Sequence, residues 1–476
     1  MQEPIYIDLS QKIASLIERN IYKAGDKLPS LRTLHKENGI SVGTVLQAFN
    51  HLIDKGYLTS REKSGYFVSY RNRQNLPAPQ AIPATLSARS VHIDKLLRKL
   101  REGGSKKEFV SLANALPDHR LLPFNSIKSS IQKVSKDLSG NYLKLEDPKG
   151  NRKLREAIAK RSFTWNGKLH ADDLIITNGT TEALNICLKA VTNPGDTVLV
   201  QSPCYYGIML ALEGLGLKVI TIPCHSDSGI DVDVLVDVCR SMAVKACILV
   251  SNFNNPNGAS LNSIKKARLA AFAAKYKIPI IEDDIYGDIC FSGKRPDCIK
   301  SYDESGWVMY CSSFSKSLAP GFRIGWCAPG RFSYEVARIK LMQNSASNTL
   351  MQSAIYELLE SGSYDRHLKK FRLELQKNMV RTIRLVEKHF PVGTRISSPA
   401  GGLVVWAELP APINTTELQD TALDQGVSYG PGELFSNDGD YKNYLRISYC
   451  NQWDAKIERA LENLGGLFSA ISINDK

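Results

Sequence analysis

The first 186 residues of this 476-residue chain contain no cysteine, and all 10 cysteines fall between Cys187 and Cys450. No two stand in a Cys-x-x-Cys pair and the 8 histidines form no cluster at metal-ligand spacing, which argues against a zinc module or a dithiol redox motif. Reduced, mostly buried thiols and no metal are the expectation. No run of 18 apolar residues occurs, so no membrane span is expected. Met1–Ser10 holds Glu3 and Asp8 and lacks a basic region followed by an apolar run. The expectation is a cytoplasmic protein without a secretory signal.

What is present is enough to fold. With 43% hydrophobic, 8% aromatic and 23% charged residues the chain can bury a sizeable core, which excludes a disordered or collagenous polymer. Its length leaves room for two to four domains at ~100–200 residues each. The formal charge is +13, and residues 1–110 carry +8 of it, with 18 basic against 10 acidic side chains. Residues 1–73 account for half of that excess and the next 37 for the rest. A local basic excess suits a polyanionic partner, although solvated basic surfaces are common.

Leu9, Ile13, Leu16, Ile17 and Ile21 recur at helical spacing and predict an amphipathic helix. Ser30 is placed to cap a short second helix that Gly39 stops. Ser41 is placed to cap a third, with Val45, Phe49, Leu52 and Ile53 on one stripe and Gly56 at its end. Tyr57–Arg61 and Tyr66–Ser69 read as strands joined through Lys63-Ser64-Gly65. Three helices and a hairpin make a winged helix-turn-helix; on pattern alone a small helical cap with a hairpin fits equally.

The residues themselves go further. Ala24-Gly25-Asp26-Lys27-Leu28-Pro29-Ser30-Leu31-Arg32, Gly39-Ile40-Ser41, Thr44-Val45, Ala48-Phe49, Gly56-Tyr57-Leu58 and Ser64-Gly65-Tyr66-Phe67-Val68 resemble a GntR-type DNA-binding domain end to end. The resemblance implies that Arg32 contacts DNA, that the helix starting at Ser41, with Thr44, enters the major groove, and that Lys63, Ser64 and Gly65 approach the minor groove of a double-stranded operator. Helix N-termini and small hydroxyl side chains suit phosphate contacts. Val42-Gly43 stand where relatives usually place an arginine, so bidentate base readout is absent there.

From Arg71 to about Lys107 the composition turns to proline-punctuated linker, with a short basic helix predicted over Val91–Arg101 that either touches phosphates or is simply solvated. Beyond Val110, short apolar runs alternate with helical patterns: Leu174–Thr177, Thr197–Gln201, Val219–Ile222, Ala246–Val250, Ile278–Ile281, Val308–Cys311 and Ile324–Trp326. Such alternation predicts an α/β fold on a mostly parallel sheet, with chemistry at the strands' carboxyl ends.

Five motifs stand at those ends. Ser312-Ser313-Phe314-Ser315-Lys316 is followed seven residues later by Arg323, pairing an imine-forming amine with an anion-binding guanidinium. Asp283 closes an apolar strand in Glu282-Asp283-Asp284-Ile285-Tyr286, where a carboxylate is either a helix cap or the partner of a protonated ring nitrogen. Asn254-Asn255-Pro256-Asn257-Gly258 alone is a turn. Asn178-Gly179-Thr180-Thr181 opens a helix and makes a ready anion site. Tyr205, just past a strand, can stack on a flat ligand.

In this order the five resemble the fold type I aminotransferases that use pyridoxal 5′-phosphate (PLP), over about Val110–Leu467. The resemblance implies a mostly parallel large domain (109–345) and a smaller α+β C-terminal domain (346–476), after a winged helix (1–70) and linker (71–108). It implies Lys316 as the Schiff-base lysine, Asp283 on the pyridine nitrogen, Asn255 and Tyr286 on the ring oxygen, and Tyr205 stacked on the ring. The phosphate falls to the turn at Gly179 and to Thr180, Thr181, Ser313, Ser315 and Arg323. Arg446, in Tyr444-Leu445-Arg446-Ile447-Ser448, matches the arginine that grips a substrate α-carboxylate. Two positions depart from the pattern: Ala115 stands where many relatives have glycine, and Leu145 where they often have a partner-subunit tyrosine, with Tyr142 nearby.

The whole order resembles the MocR subfamily of bacterial regulators. That implies a homodimeric, DNA-binding, PLP-dependent regulator that senses an amine, amino acid or vitamin B6 compound through aldimine exchange at Lys316. The alternatives are a working aminotransferase acting on an amino acid and a 2-oxo acid, and a module that holds PLP without DNA or turnover.

Overall fold

Two units divide the chain, Met1–Gln74 and Asn75–Lys476. The structure is a computed structural model that describes residues 4–18, 21–22, 25–54, 57–61, 64–68, 76–83, 87–92, 109–136 and 144–474.

In the first unit, α1 (Ile5–Glu18), α2 (Leu31–Asn38) and α3 (Val42–Asp54) precede an antiparallel hairpin of β1 (Leu58–Arg61) and β2 (Gly65–Val68), with Leu58 opposite Val68. Leu9 and Ile13 of α1, Leu34 of α2 and Val45, Phe49 and Leu52 of α3 close one core with Leu58 and Val68. Ile21, counted on the first stripe, lies beyond the end of α1 and is exposed. Phe49 meets Tyr66 edge-on at 4.6 Å and so ties α3 to the hairpin. Full burial of such a side chain contributes about 1.5–3 kcal/mol. Gly39 ends α2 in the left-handed region at φ 64°, where a side chain is strained.

The second unit's strands are β3 (Arg89–Ser90), β4 (Val110–Ser111), β5 (Ile175–Thr177), β6 (Thr197–Ser202), β7 (Lys218–His225), β8 (Gly229–Ile230) and β9 (Val244–Leu249). They continue as β10 (Ile280–Asp283), β11 (Val308–Ser313), β12 (Gly325–Ala328), β13 (Arg395–Ile396), β14 (Val404–Glu408), β15 (Val427–Ser428), β16 (Gly430–Pro431) and β17 (Tyr444–Ser448). Among the described residues the main sheet runs β3-β7-β6-β9-β10-β11-β12-β5, with β8 beside β7. The five strands from β7 to β11 are mutually parallel, and their interior residues are apolar and buried because helices cover both faces.

Two features of this sheet position the site. β12 runs antiparallel to β11, so the loop between them turns back at the carboxyl end of β11 and keeps Lys316 and Arg323 together. β5 is antiparallel to β12, with Thr177 opposite Gly325, which brings the turn at Gly179 to the same edge. A second sheet, β13-β14-β17-β16, is antiparallel and sets Arg446 between Trp406 and Gly430.

Part of the stretch read as linker is built into this unit. Arg89–Ser90 extends the main sheet, Val91 is buried in its core, and Arg89 pairs with Asp438 at 2.7 Å. The helix predicted over Val91–Arg101 falls almost wholly outside the described residues. All ten cysteines are free and buried. Among the described residues no helix is long and apolar enough to cross a membrane, and no group of side chains is arranged to hold a metal ion.

Candidate functional site

A cavity of about 210 Å³ opens at the carboxyl ends of the central strands. Lys316, Asp283, Asn255, Tyr286, Tyr205, Thr180, Thr181, Ser315 and Arg323 all line it. Of the other residues assigned from sequence, Ser313 lies beneath, its Oγ accepting the Ser315 N–H at 3.2 Å. Gly179 forms the N-cap of the helix Thr180–Val191 at φ 83°. A Cβ there would stand 2.6 Å from Arg323 Nη2, so only glycine allows the guanidinium to lie against this helix start. Arg323 reaches Ser315 Oγ at 3.3 Å and the Asn178 carbonyl at 3.0 Å. Thr180 Oγ1 is buried there without a hydrogen-bond partner.

On the opposite wall Asn255 Nδ2 donates to Tyr286 Oη at 3.2 Å, and Arg446 Nη1 donates to Asn255 Oδ1 at 2.8 Å. Arg446 is buried over the Phe435 ring, 4.7 Å from its centroid, and its second amino group bonds the Ala113 carbonyl. Tyr205 and Tyr206 pack ring to ring at 4.6 Å.

Burial sets the electrostatics. It pulls the Lys316 amine down to about 8, helped by Arg446 and Arg323 and opposed by Cys450 and Asp283. The same desolvation pushes Asp283 up to about 7, with Asp284 adding to it and the Ile285 N–H and Lys316 opposing. It also lowers Arg446 from its ordinary value. These are the directions expected when charge is taken from water without full compensation. Perturbed groups gathered in one cleft are a mark of function.

Sequence reasoning missed two features. The Cys450 thiol lies within the electrostatic reach of Lys316 and Arg446, and burial pushes it up to about 11. Nothing local signalled this, because Cys450 arrives from the end of β17 through tertiary packing. One residue beyond Asp283, Asp284 pairs with Arg295 at 2.5 Å, and Arg295 also pairs with Asp288 at 2.7 Å. The residues Glu282-Asp283-Asp284 were read for Asp283 alone, yet Asp284 anchors this buried network.

In the first unit Ser30 Oγ accepts the Thr33 N–H at 3.2 Å, and Ser41 Oγ accepts the Thr44 N–H at 3.0 Å. Arg32 and Ser41 are exposed, Thr44 is half-buried, and Ser64 and Gly65 form the described part of the hairpin tip. Lys63 lies outside the described residues.

The geometry defines a fold type I aminotransferase-like unit in a chain that also carries a winged helix. The family model for aminotransferase class I and II matches residues 109–464, and that for gntR-family bacterial regulatory proteins matches 5–68. The uncharacterized HTH-type transcriptional regulator YdcR of Escherichia coli is 35% identical over 97% of this chain and 98% of its own. Aromatic-amino-acid aminotransferase 1 of Thermococcus litoralis is 30% identical over 77% of this chain and 90% of its own. The crystal structure of the multiple substrate aminotransferase of Thermococcus profundus superposes with a TM-score of 0.74 at 28% identity, covering 79% of this chain and 95% of that one. The chain belongs to the MocR-type family of HTH-type transcriptional regulators, in which a GntR DNA-binding domain precedes an aminotransferase class I and II domain. Membership implies DNA binding by the first unit and PLP dependence of the second.

Proposed function

We propose that this protein is a transcriptional regulator whose second unit holds PLP at Lys316 and senses an amine, an amino acid or a vitamin B6 compound. The observation that carries the reading is the convergence of nine residues, assigned from five separate motifs, on one cavity in a chain that begins with a winged helix. A homodimer in the cytoplasm, and domains at 1–70, 71–108, 109–345 and 346–476, are part of the same proposal.

The residues present fit the cofactor. Thr180 Oγ1 is a buried polar atom lacking a partner, and the helix start beside it joins backbone N–H groups to the Arg323 guanidinium, a donor set suited to a phosphate. Thr181, Ser313 and Ser315 supply further hydroxyls. Asp283 would face the pyridine nitrogen, Asn255 and Tyr286 the ring oxygen, and Tyr205 a face of the ring. PLP supplies, when bound, an aldehyde that condenses with amines and a ring that accepts electrons.

The protein's own groups do the rest. With its amine at about 8, Lys316 has a larger neutral, nucleophilic fraction near pH 7 than an ordinary lysine. A cation beside Asp283 returns its carboxyl, now near 7, to the ionised form and so holds that cation. Arg446 offers a carboxylate a buried, charge-assisted contact, and a ligand bound there shifts a two-state protein only through its differential affinity. The Lys316 amine is equally suited to moving a proton, which keeps the working aminotransferase as a second reading.

The test has two arms. Purified full-length protein supplied with PLP is expected to show an absorbance band that borohydride and Lys316→Ala each abolish; its absence sinks the cofactor assignment. Footprinting upstream of the protein's own gene is expected to show salt-sensitive protection, weakened roughly tenfold by Arg32→Ala. No protection at moderate salt, or multiple turnovers with an amino acid and 2-oxoglutarate, would turn the reading toward the enzyme.

A further inference from the structure

Three side chains converge on the backbone of one short segment. Arg446 donates to the Ala113 carbonyl, Lys316 Nζ to the Ala115 carbonyl at 2.7 Å, and Cys450 Sγ to the Leu116 carbonyl at 3.0 Å. Two of these donors are the groups that a carboxylate-bearing amine needs, and both are engaged by the chain itself.

The segment is poorly held otherwise. On one side Leu112 is tied by its N–H to Ser428 and by its carbonyl to the Ser448 N–H, both at 2.9 Å. On the other side the Asp118 N–H bonds the Cys450 carbonyl at 2.9 Å. Between these anchors, among the described residues, Ala113–Pro117 makes no backbone–backbone hydrogen bond. A stretch anchored at both ends and held in the middle by side chains alone can be lifted without breaking a strand or helix.

The guanidinium is also incompletely satisfied. Arg446 is 2% exposed, and its Nε has no hydrogen-bond partner. A buried N–H left unpaired costs about 1–3 kcal/mol, more when charged. A carboxylate on the edge formed by Nε and Nη2 satisfies the first and competes with the Ala113 carbonyl for the second. It also replaces a neutral acceptor by an anion, and charge-assisted hydrogen bonds are roughly twice as strong.

We propose that Ala113–Leu116 is a place-holding strap that an incoming carboxylate displaces, held over the site by Arg446 and clasped by the Cys450 thiol, with Lys316 adding its bond only while its amine is free of cofactor. The inference rests on the ligand-sensing reading above and adds the moving part. Cys450 acts as a positioning residue: it holds the strap, and its exposure reports whether the strap is closed. The strap follows directly on β4.

Cys450 supplies the test, because its thiol is buried under the strap. The full-length protein loaded with PLP is treated with iodoacetamide, and alkylation of each cysteine is followed by peptide mass spectrometry. An equimolar mixture of the protein amino acids other than cysteine is expected to speed Cys450 alkylation severalfold relative to the other nine cysteines. Ethylamine, which has no carboxylate, is expected not to. Arg446→Leu frees Ala113, raises the basal rate and removes the response. A Cys450 rate unchanged or slowed by the mixture overturns the strap, as does a basal rate in Arg446→Leu equal to that of the unaltered chain. If the Lys316-dependent absorbance band never forms, the sensing reading fails by itself, while the Arg446→Leu comparison without cofactor still judges the strap.

Discussion

The two units place their proposed working groups in opposite surroundings. In the head, Arg32 and Ser41 stand in water at helix starts, and the apolar core behind them is a separate layer. In the second unit Asp283, Lys316 and Arg446 are withdrawn from water, and the site is part of the packing. If the proposed contacts hold, a head that meets phosphates through these exposed groups keeps its apolar core apart from its binding groups, and Ser41, a cap as well as a proposed contact, is where the two overlap. A site that works through desolvated charge ties the two together, because the same burial that perturbs Lys316 and Asp283 penalises folding unless each charge finds a partner.

The largest expected break in this contrast lies in the network around Asp284. Arg295, its side chain 6% exposed, bridges Asp284, which is fully buried, and the partly exposed Asp288, lies over the Trp165 ring at 5.1 Å from its centroid, and donates to Tyr310 Oη at 3.0 Å. Arg295→Ala leaves Asp284 buried without its cation, for which about 3–5 kcal/mol is the usual loss. All five tryptophans lie in the second unit, so urea unfolding followed by tryptophan fluorescence reads that unit alone. Its midpoint is expected to fall sharply; an unchanged midpoint contradicts the network's role.

Acidity is expected to act next, and with both signs. Burial pushes Glu282 and Asp283 up to about 7, so their protonated forms favour the fold; stability rises as pH falls through 7, where the unfolded groups are still ionised. For Asp288 burial also pushes upward, but Arg295, Arg161 and Arg372 outweigh it and hold the carboxyl at about 2. Its contribution is present above the ordinary value of 3.8 and is lost as pH falls toward 2, a loss of about 2 kcal/mol. The tryptophan midpoint is therefore expected to be highest between about 4 and 6, and a midpoint rising steadily toward pH 8 refutes this assignment. PLP loading should flatten the neutral limb by giving Asp283 a cationic partner.

The same contrast explains what the sequence makes legible. Ser30, Gly39 and Ser41 declare helix boundaries because a cap is a local bond, made within three or four residues. Strand runs were placed to within a few residues because burial on both faces demands continuous apolar side chains. The residues around Gly179, Tyr205, Asn255, Asp283 and Lys316 could be named because they fall at or just past strand ends, whereas Arg446, in the middle of β17, was named only by resemblance. Arg89–Ser90 was not legible as a strand, since two polar residues carry no periodicity and their pairing with β7 is long-range. Neither was Cys450, nor the carbonyls of Ala113 and Ala115, because a backbone acceptor leaves no trace in residue type.

The smallest expected effect is the most discriminating for the head. Ser41 Oγ accepts the Thr44 N–H at 3.0 Å and lies 2.9 Å from Thr44 Oγ1, so it holds the first turn of α3 while facing solvent. Ser41→Ala removes the cap and is expected to destabilise the head by about 1 kcal/mol, leaving the tryptophan midpoint unmoved. Ser41→Asp restores the cap, and its charge favours a helix N-terminus, so the head regains its stability. The same charge repels DNA phosphate, so binding weakens further than in Ser41→Ala and most steeply at low salt. Folding and binding then move in opposite directions at one residue. If Ser41→Asp instead binds DNA as tightly as the unaltered chain, the start of α3 does not face phosphate, and the proposed contact at Ser41 fails.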